Sequence, residues 1–188
     1  LSLAVLTKGP VALVLSGLTI FFFALFQNDL HRILKLLKII PGIFIVFVIS
    51  IPWYLTELIL EGKPFLESFF GYHNFQRFTS VVNSHSEPWW FFLVVLSIAS
   101  FPFTPMLFLG GWYNLSNLFK WTRRVIKTPE NSLFEFAFFW LISVFIFFTI
   151  SATKLPSYWL PATPAASILI SFSLINKTKD DFLKSFAW

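Results

Sequence analysis

Five long apolar runs fix what this chain can become. They cover about Pro10–Phe26, Ile39–Leu60, Pro88–Gly110, Ser132–Ala152 and Tyr158–Ile175. Each is close to the roughly 20 residues that a helix needs to cross a bilayer. In hydrocarbon every backbone amide and carbonyl must be satisfied within the protein, which leaves helices as the natural form for runs of this length. Composition agrees. Only 12% of the 188 residues are charged, against about 25% in ordinary soluble domains. Mean hydropathy is +0.75. The expected fold is all-α: a polytopic transmembrane bundle of about five spans, with an amphipathic juxtamembrane helix between the second and third.

There is no cysteine, so disulfides and thiolate metal sites are excluded. The net charge of +5 could point to an anionic partner. The basic residues are scattered among apolar runs, which argues against nucleic acid, and topology offers a simpler account. With five alternating spans, one side receives Arg32, Lys35, Lys38, Lys120, Arg123, Arg124, Lys127, Lys177, Lys179 and Lys184. The other receives Lys8, Lys63, Arg77 and Lys154. The positive-inside rule makes the first side cytoplasmic. Asn114-Leu-Ser116 and Asn176-Lys-Thr178 match the N-glycosylation pattern but fall on that cytoplasmic side. The chain starts at Leu1 and is already apolar, so it is read as the C-terminal part of a membrane domain, a partial domain over residues 1–188.

Glu61–Phe78 (EGKPFLESFFGYHNFQRF) breaks the apolar pattern. Read as a helix from Pro64, it puts Phe65, Leu66, Phe69 and Phe70 on one face, and His73 and Arg77 continue that face. Basic groups on a buried face are costly unless something compensates them. By the span count they lie at the outer surface, at the same depth as Lys8, Lys154 and Tyr158. Lys and Arg bind phosphate through charge-assisted hydrogen bonds, and Tyr adds a hydroxyl donor. Such a rim would hold an anionic headgroup while its tail stays in lipid. Each residue also has a plainer role. Lys8 and Lys154 suit snorkelling, Arg77 a bridge to Glu67 or Glu87, His73 a packing role and Tyr158 an aromatic belt. His85 and Glu87 lack a third ligand, so no metal site is assigned.

Three stretches carry a resemblance: Lys8-Gly9 within LAVLTKGPVALVL, His73–Phe78 within FFGYHNFQRF followed by PWWFF, and Thr153–Pro161 (TKLPSYWLP). In that order they resemble the bacterial aminoarabinose lipid A transferases and their relatives, in the protein O-mannosyltransferase superfamily of GT-C fold. The resemblance implies a membrane glycosyltransferase. It would move a sugar from a polyprenyl-phosphate carrier to a lipid A, glycan or protein acceptor at the outer face of the bacterial inner membrane. It also implies that Lys8, His73, Arg77 and Tyr158 contact the lipid phosphate, and Lys154, at the same depth, is grouped with them. The family motif reads Glu-His-x-x-Arg-Phe. Here Tyr72 replaces the Glu, and one extra residue separates His73 from Arg77. The family's catalytic Asp lies in an earlier outer loop, so no catalytic residue is assigned. No cofactor is assignable, although a divalent metal is possible in the superfamily. The competing reading is a transporter or flippase for an anionic polyprenyl lipid, using the same basic rim without chemistry.

Overall fold

The computed structural model describes residues 1–28, 30–81, 87–119 and 129–185. Among them every regular element is helical. The chain divides into two compact units. One comprises Leu1–Pro88 and Phe147–Leu155, the other Trp89–Ile146 and Pro156–Trp188.

The first unit begins with a short helix, α1 (Ser2–Lys8), and a longer one, α2 (Val11–Phe26). Gly9 separates them with φ +67°. The α2 hydroxyls turn inward on their own helix: Ser16 donates to the Ala12 carbonyl and Thr19 to that of Leu15. After α3 (Leu30–Leu36) comes α4 (Ile39–Glu61), which ends at Gly62 with φ +66°. The inner face of α4 presents Val46 and Ser50 towards α1, where Val5 is buried. The Tyr54 hydroxyl donates to the Val5 carbonyl at 2.6 Å.

Beyond Gly62 the expected amphipathic helix is present but is not a regular α-helix. It comprises α5 (Lys63–Leu66), a π-helix over Glu67–Gln76 and α6 (Arg77–Thr79). A π-helix closes its hydrogen bonds five residues back and is usually a single turn, often at a functional site. The wider turn changes which residues share a face. Phe65 is buried, and with Phe69 and Phe70 it packs edge-on or tilted against Trp53 and Tyr54, with ring centroids 5.6–6.3 Å apart. Leu66, expected on that face, is 41% exposed, and His73 is exposed as well. The predicted buried face thus keeps its aromatic residues and loses Leu66 and His73.

In the second unit, α7 (Phe91–Ala99) and α8 (Thr104–Phe119) replace the third expected span. They meet at 119°, so this run is a broken span or re-entrant loop rather than one kinked helix. Pro102 has no amide to continue α7, and Pro105 suits the first turn of a new helix. The Thr104 hydroxyl donates back to the Ser97 carbonyl at 2.6 Å across the break. The helix α9 (Pro129–Ile150) carries Phe134, Ala137, Phe138, Leu141 and Val144 as its buried stripe, at the three- and four-residue steps of a helix face. A 3-10 helix over Pro156–Ala162 leads into α10 (Thr163–Ser185), where Ala165, Ala166 and Leu169 are buried. Phe134 stacks on Phe172 at 3.9 Å. The helices α8 and α10 approach closely at Gly110, where an added Cβ would sit 2.6 Å from Ser173 Oγ.

Each of the five expected runs is occupied by helix. Among the described residues three helices are long and apolar enough to cross: Ile39–Glu61, Asn131–Ile150 and Pro156–Ile175. The bent α7–α8 pair makes a fourth if it counts as one span. The helix over the first run, α2, is apolar and shorter. Sixteen residues rise only about 24 Å, short of the roughly 30 Å hydrocarbon core, because Gly9 and Pro10 cut α2 off from α1.

Candidate functional site

The irregular helix after α4 ends in a problem of unpaired carbonyls. Gln76 accepts from the Ser80 amide at 2.7 Å, and after that the backbone turns extended at Ser80. The last carbonyls of a helix have no partner within it. Here they are capped by the turn that follows α9, more than 70 residues later. The Thr153 amide donates to the Arg77 carbonyl at 3.0 Å, and the Ala152 amide to that of Phe78 at 2.9 Å. The Thr153 hydroxyl donates to the Ser80 carbonyl at 2.9 Å. The Ser151 hydroxyl lies 3.1 Å from both the Arg77 and Thr153 carbonyls, so its single proton serves either. Phe78 meets Phe147 of α9 at 5.1 Å, adding an apolar contact beside the cap.

This arrangement fixes the backbone of Arg77, while its side chain keeps unused donor capacity. Arg77 Nε is buried and has no hydrogen-bond partner. Its guanidinium carbon sits 5.6 Å from the centroid of the Tyr72 ring, within cation–π range. Tyr72 in turn meets the His73 imidazole edge-on at 5.0 Å. A half-buried cation held over a ring with an open Nε is poised for an anion.

On the other side of the site, Gly9 brings α1 against the π-helix. A Cβ at Gly9 would lie 3.0 Å from a Phe69 ring carbon and 3.2 Å from Asn74 Nδ2. Asn74 is itself fixed by donating to the Phe69 carbonyl at 2.7 Å. Lys8, the residue before Gly9, is exposed at the end of α1. Partial desolvation lowers the pKa of His73 from its ordinary value, and the positive charges of Arg77 and Lys8 lower it further. Three of the expected residues, Lys8, His73 and Arg77, therefore share one electrostatic environment.

The other two stand differently. Lys154 is 9% exposed, and its ammonium donates to the Ser151 carbonyl at 3.0 Å, closing the same turn that caps Arg77. Tyr158 lies on the 3-10 helix of the second unit and is half-buried. His85 falls outside the described residues. Among the described residues no three His, Asp or Glu side chains cluster as metal ligands would. Sequence reasoning missed Ser151, Thr153 and the ring of Tyr72. The first two act chiefly on main-chain carbonyls, which residue types do not reveal.

Comparison with known proteins points the same way. No protein-family model matches the chain. A protein of Aquifex aeolicus is 30% identical over 177 residues, covering 94% of this chain and 37% of the relative. The undecaprenyl phosphate-α-4-amino-4-deoxy-L-arabinose arabinosyl transferase 1 of Pseudomonas fluorescens is 29% identical, covering 92% of this chain and 29% of its own length. The corresponding transferase 2 of Proteus mirabilis is also 29% identical, at 90% and 28%. The chain thus spans about a third of the relatives it matches. The crystal structure of ArnT from Cupriavidus metallidurans bound to undecaprenyl phosphate superposes with a TM-score of 0.75 at 29% identity, over 92% of this chain and 29% of that one. In sequence and in fold, this chain is similar to the membrane domain of these aminoarabinose transferases.

Proposed function

We propose that the protein containing this chain is a membrane glycosyltransferase that takes a sugar from a polyprenyl-phosphate carrier. Lys8, His73 and Arg77 contact the carrier phosphate, with Lys154 and Tyr158 completing the set. One observation carries the reading: the buried Nε of Arg77, beside the Tyr72 ring that meets His73, has no hydrogen-bond partner, in a chain whose fold is similar to a transferase solved with undecaprenyl phosphate.

The chemistry follows from charge. The bond between the anomeric carbon and the phosphate oxygen breaks, and the carbon bonds to an acceptor oxygen. The phosphodiester monoanion becomes a phosphomonoester that carries one more negative charge. Preorganised cations stabilise that added charge more in the transition state than in the ground state. Arg77 supplies its free Nε–H and the rest of its fork, Lys8 an exposed ammonium. A phosphate leaving group requires little protonation, so a neutral His73 is compatible with the reaction. The acceptor hydroxyl requires a carboxylate to orient or deprotonate it, and no acid of this chain is assigned to that role. The acceptor is a lipid A, glycan or protein group.

The site is placed at the outer face of the bacterial inner membrane. In support, Arg32, Lys35 and Lys38 precede α4, and the site lies beyond its other end. The test is sugar transfer from a polyprenyl-phosphate donor by the full-length protein. Arg77→Ala and Tyr158→Phe should each lower turnover by at least about 10-fold, a loss of one charge-assisted hydrogen bond. Unchanged turnover in both would remove the assigned site. Carrier movement across the membrane without sugar transfer would favour a flippase instead.

A further inference from the structure

We infer that Ser151 and Thr153 are positioning residues for Arg77, setting the direction from which its guanidinium meets an anion. The inference rests on the phosphate-binding reading of Arg77, and it assigns to these two hydroxyls a role distinct from contact with substrate. Four carbonyl contacts hold the end of the irregular helix, and all come from the turn at 151–153. Arg77 receives the Thr153 amide and shares the Ser151 hydroxyl, Phe78 receives the Ala152 amide, and Ser80 receives the Thr153 hydroxyl. Thr153 is 1% exposed and Ser151 is 3% exposed, so both hydroxyls are used inside the protein. Lys154 closes the turn from its far side through the Ser151 carbonyl.

The physical argument concerns where rigidity comes from. α6 has only three residues, too few to fix a side chain by itself. The preceding π-helix has less regular hydrogen bonding than an α-helix. Arg77 Nε has no partner to hold the side chain in place. The capping turn therefore fixes the Cα–Cβ vector of Arg77, with the Tyr72 ring beside the guanidinium beyond it. Removing the Thr153 hydroxyl takes a donor from the Ser80 carbonyl, and removing the Ser151 hydroxyl leaves the Arg77 carbonyl to the Thr153 amide, so the segment is held less tightly. Arg77 would then meet the phosphate off-angle, which degrades a forked contact sharply.

The test is a double-mutant cycle on full-length protein in lipid nanodiscs, with binding of undecaprenyl phosphate as the readout and turnover alongside it. Ser151→Ala and Thr153→Val should each weaken binding about 5- to 10-fold, and Thr153→Ser should restore it to within about 2-fold. In an Arg77→Ala background the same two changes should add less than about 2-fold. If Arg77→Ala weakens binding and the hydroxyl variants do not, the positioning role is refuted while the phosphate site stands. If the hydroxyl variants weaken binding equally with and without Arg77, they act on general structure and the inference fails. If Arg77→Ala itself leaves binding unchanged, the phosphate-binding reading fails first. Should Thr153→Val not fold, the Ser151→Ala arm carries the same cycle, because it removes the hydroxyl at the Arg77 carbonyl.

Discussion

The Tyr54 hydroxyl donates to the Val5 carbonyl at 2.6 Å, pinning the short helix that ends in Lys8 to the long helix that leads into the π-helix. The same carbonyl also accepts the Gly9 amide at 2.7 Å, so one oxygen both caps α1 and ties it to α4. Tyr54→Phe keeps the ring contacts with Phe65, Phe69 and Phe70 and removes only this bond. It should cost about 1 kcal/mol of stability, measured by thermal unfolding in detergent. Affinity for a polyprenyl phosphate should fall by a few-fold, because Lys8 loses its fixed position.

Gly9→Ala should be more damaging. The backbone there has φ +67°, a region that L side chains seldom adopt. The new methyl would also press on Phe69 at 3.0 Å. The expected loss is about 1–2 kcal/mol from the backbone alone, with a further loss of binding as α1 and the π-helix separate. An unchanged melting temperature together with unchanged binding would show that the contact between α1 and the π-helix is dispensable.

His73 gives the binding reaction a pH signature. Partial burial, then Arg77 and Lys8, hold its pKa below the ordinary histidine value, so it is uncharged in the free protein at neutral pH. A bound phosphate favours the imidazolium and raises that pKa. Binding therefore takes up a proton, and affinity rises as pH falls from the bound-state pKa towards the lower free-state value. His73→Gln should flatten this part of the profile. The phosphomonoester also titrates, near pH 6, so the informative quantity is the difference between wild type and variant. Parallel profiles would remove His73 from the site.

Gly110 tests the second unit separately. A Cβ there would lie 2.6 Å from Ser173 Oγ and 3.1 Å from the Leu169 carbonyl. Gly110→Ala should destabilise by about 1–3 kcal/mol through overpacking. Adding Ser173→Ala should recover part of the loss and no more, since the Leu169 carbonyl belongs to backbone. Full recovery would mean that only the hydroxyl clashes.

The long apolar runs were legible because hydrophobicity accumulates over 20 residues: α4, α9 and the Pro156–Ile175 helix lie where those runs lie. The α7–α8 break was half legible. Pro102 and Pro105 announce a disturbance, but a proline permits either a kink or a reversal, and the surroundings of Ser97 and Thr104 decide. The π-helix carries no local signature. Each of its residues could sit in an α-helix, and its wide turn arises within the packing of Phe65, Phe69 and Phe70 on α4. Lys8, His73 and Arg77 were singled out by residue type and resemblance, whereas the cap at 151–153 was not legible. Main-chain amides make two of its bonds, and any residue but proline supplies an amide.

The backbone protons of Ala152 and Thr153 are spoken for only while residues 77–78 stay in register. Their exchange with solvent deuterium is therefore a clock for the seating of Arg77. A bound carrier that steadies the arginine would slow those two amides, and a substitution that loosens it would quicken them, before any change in overall helicity could be seen.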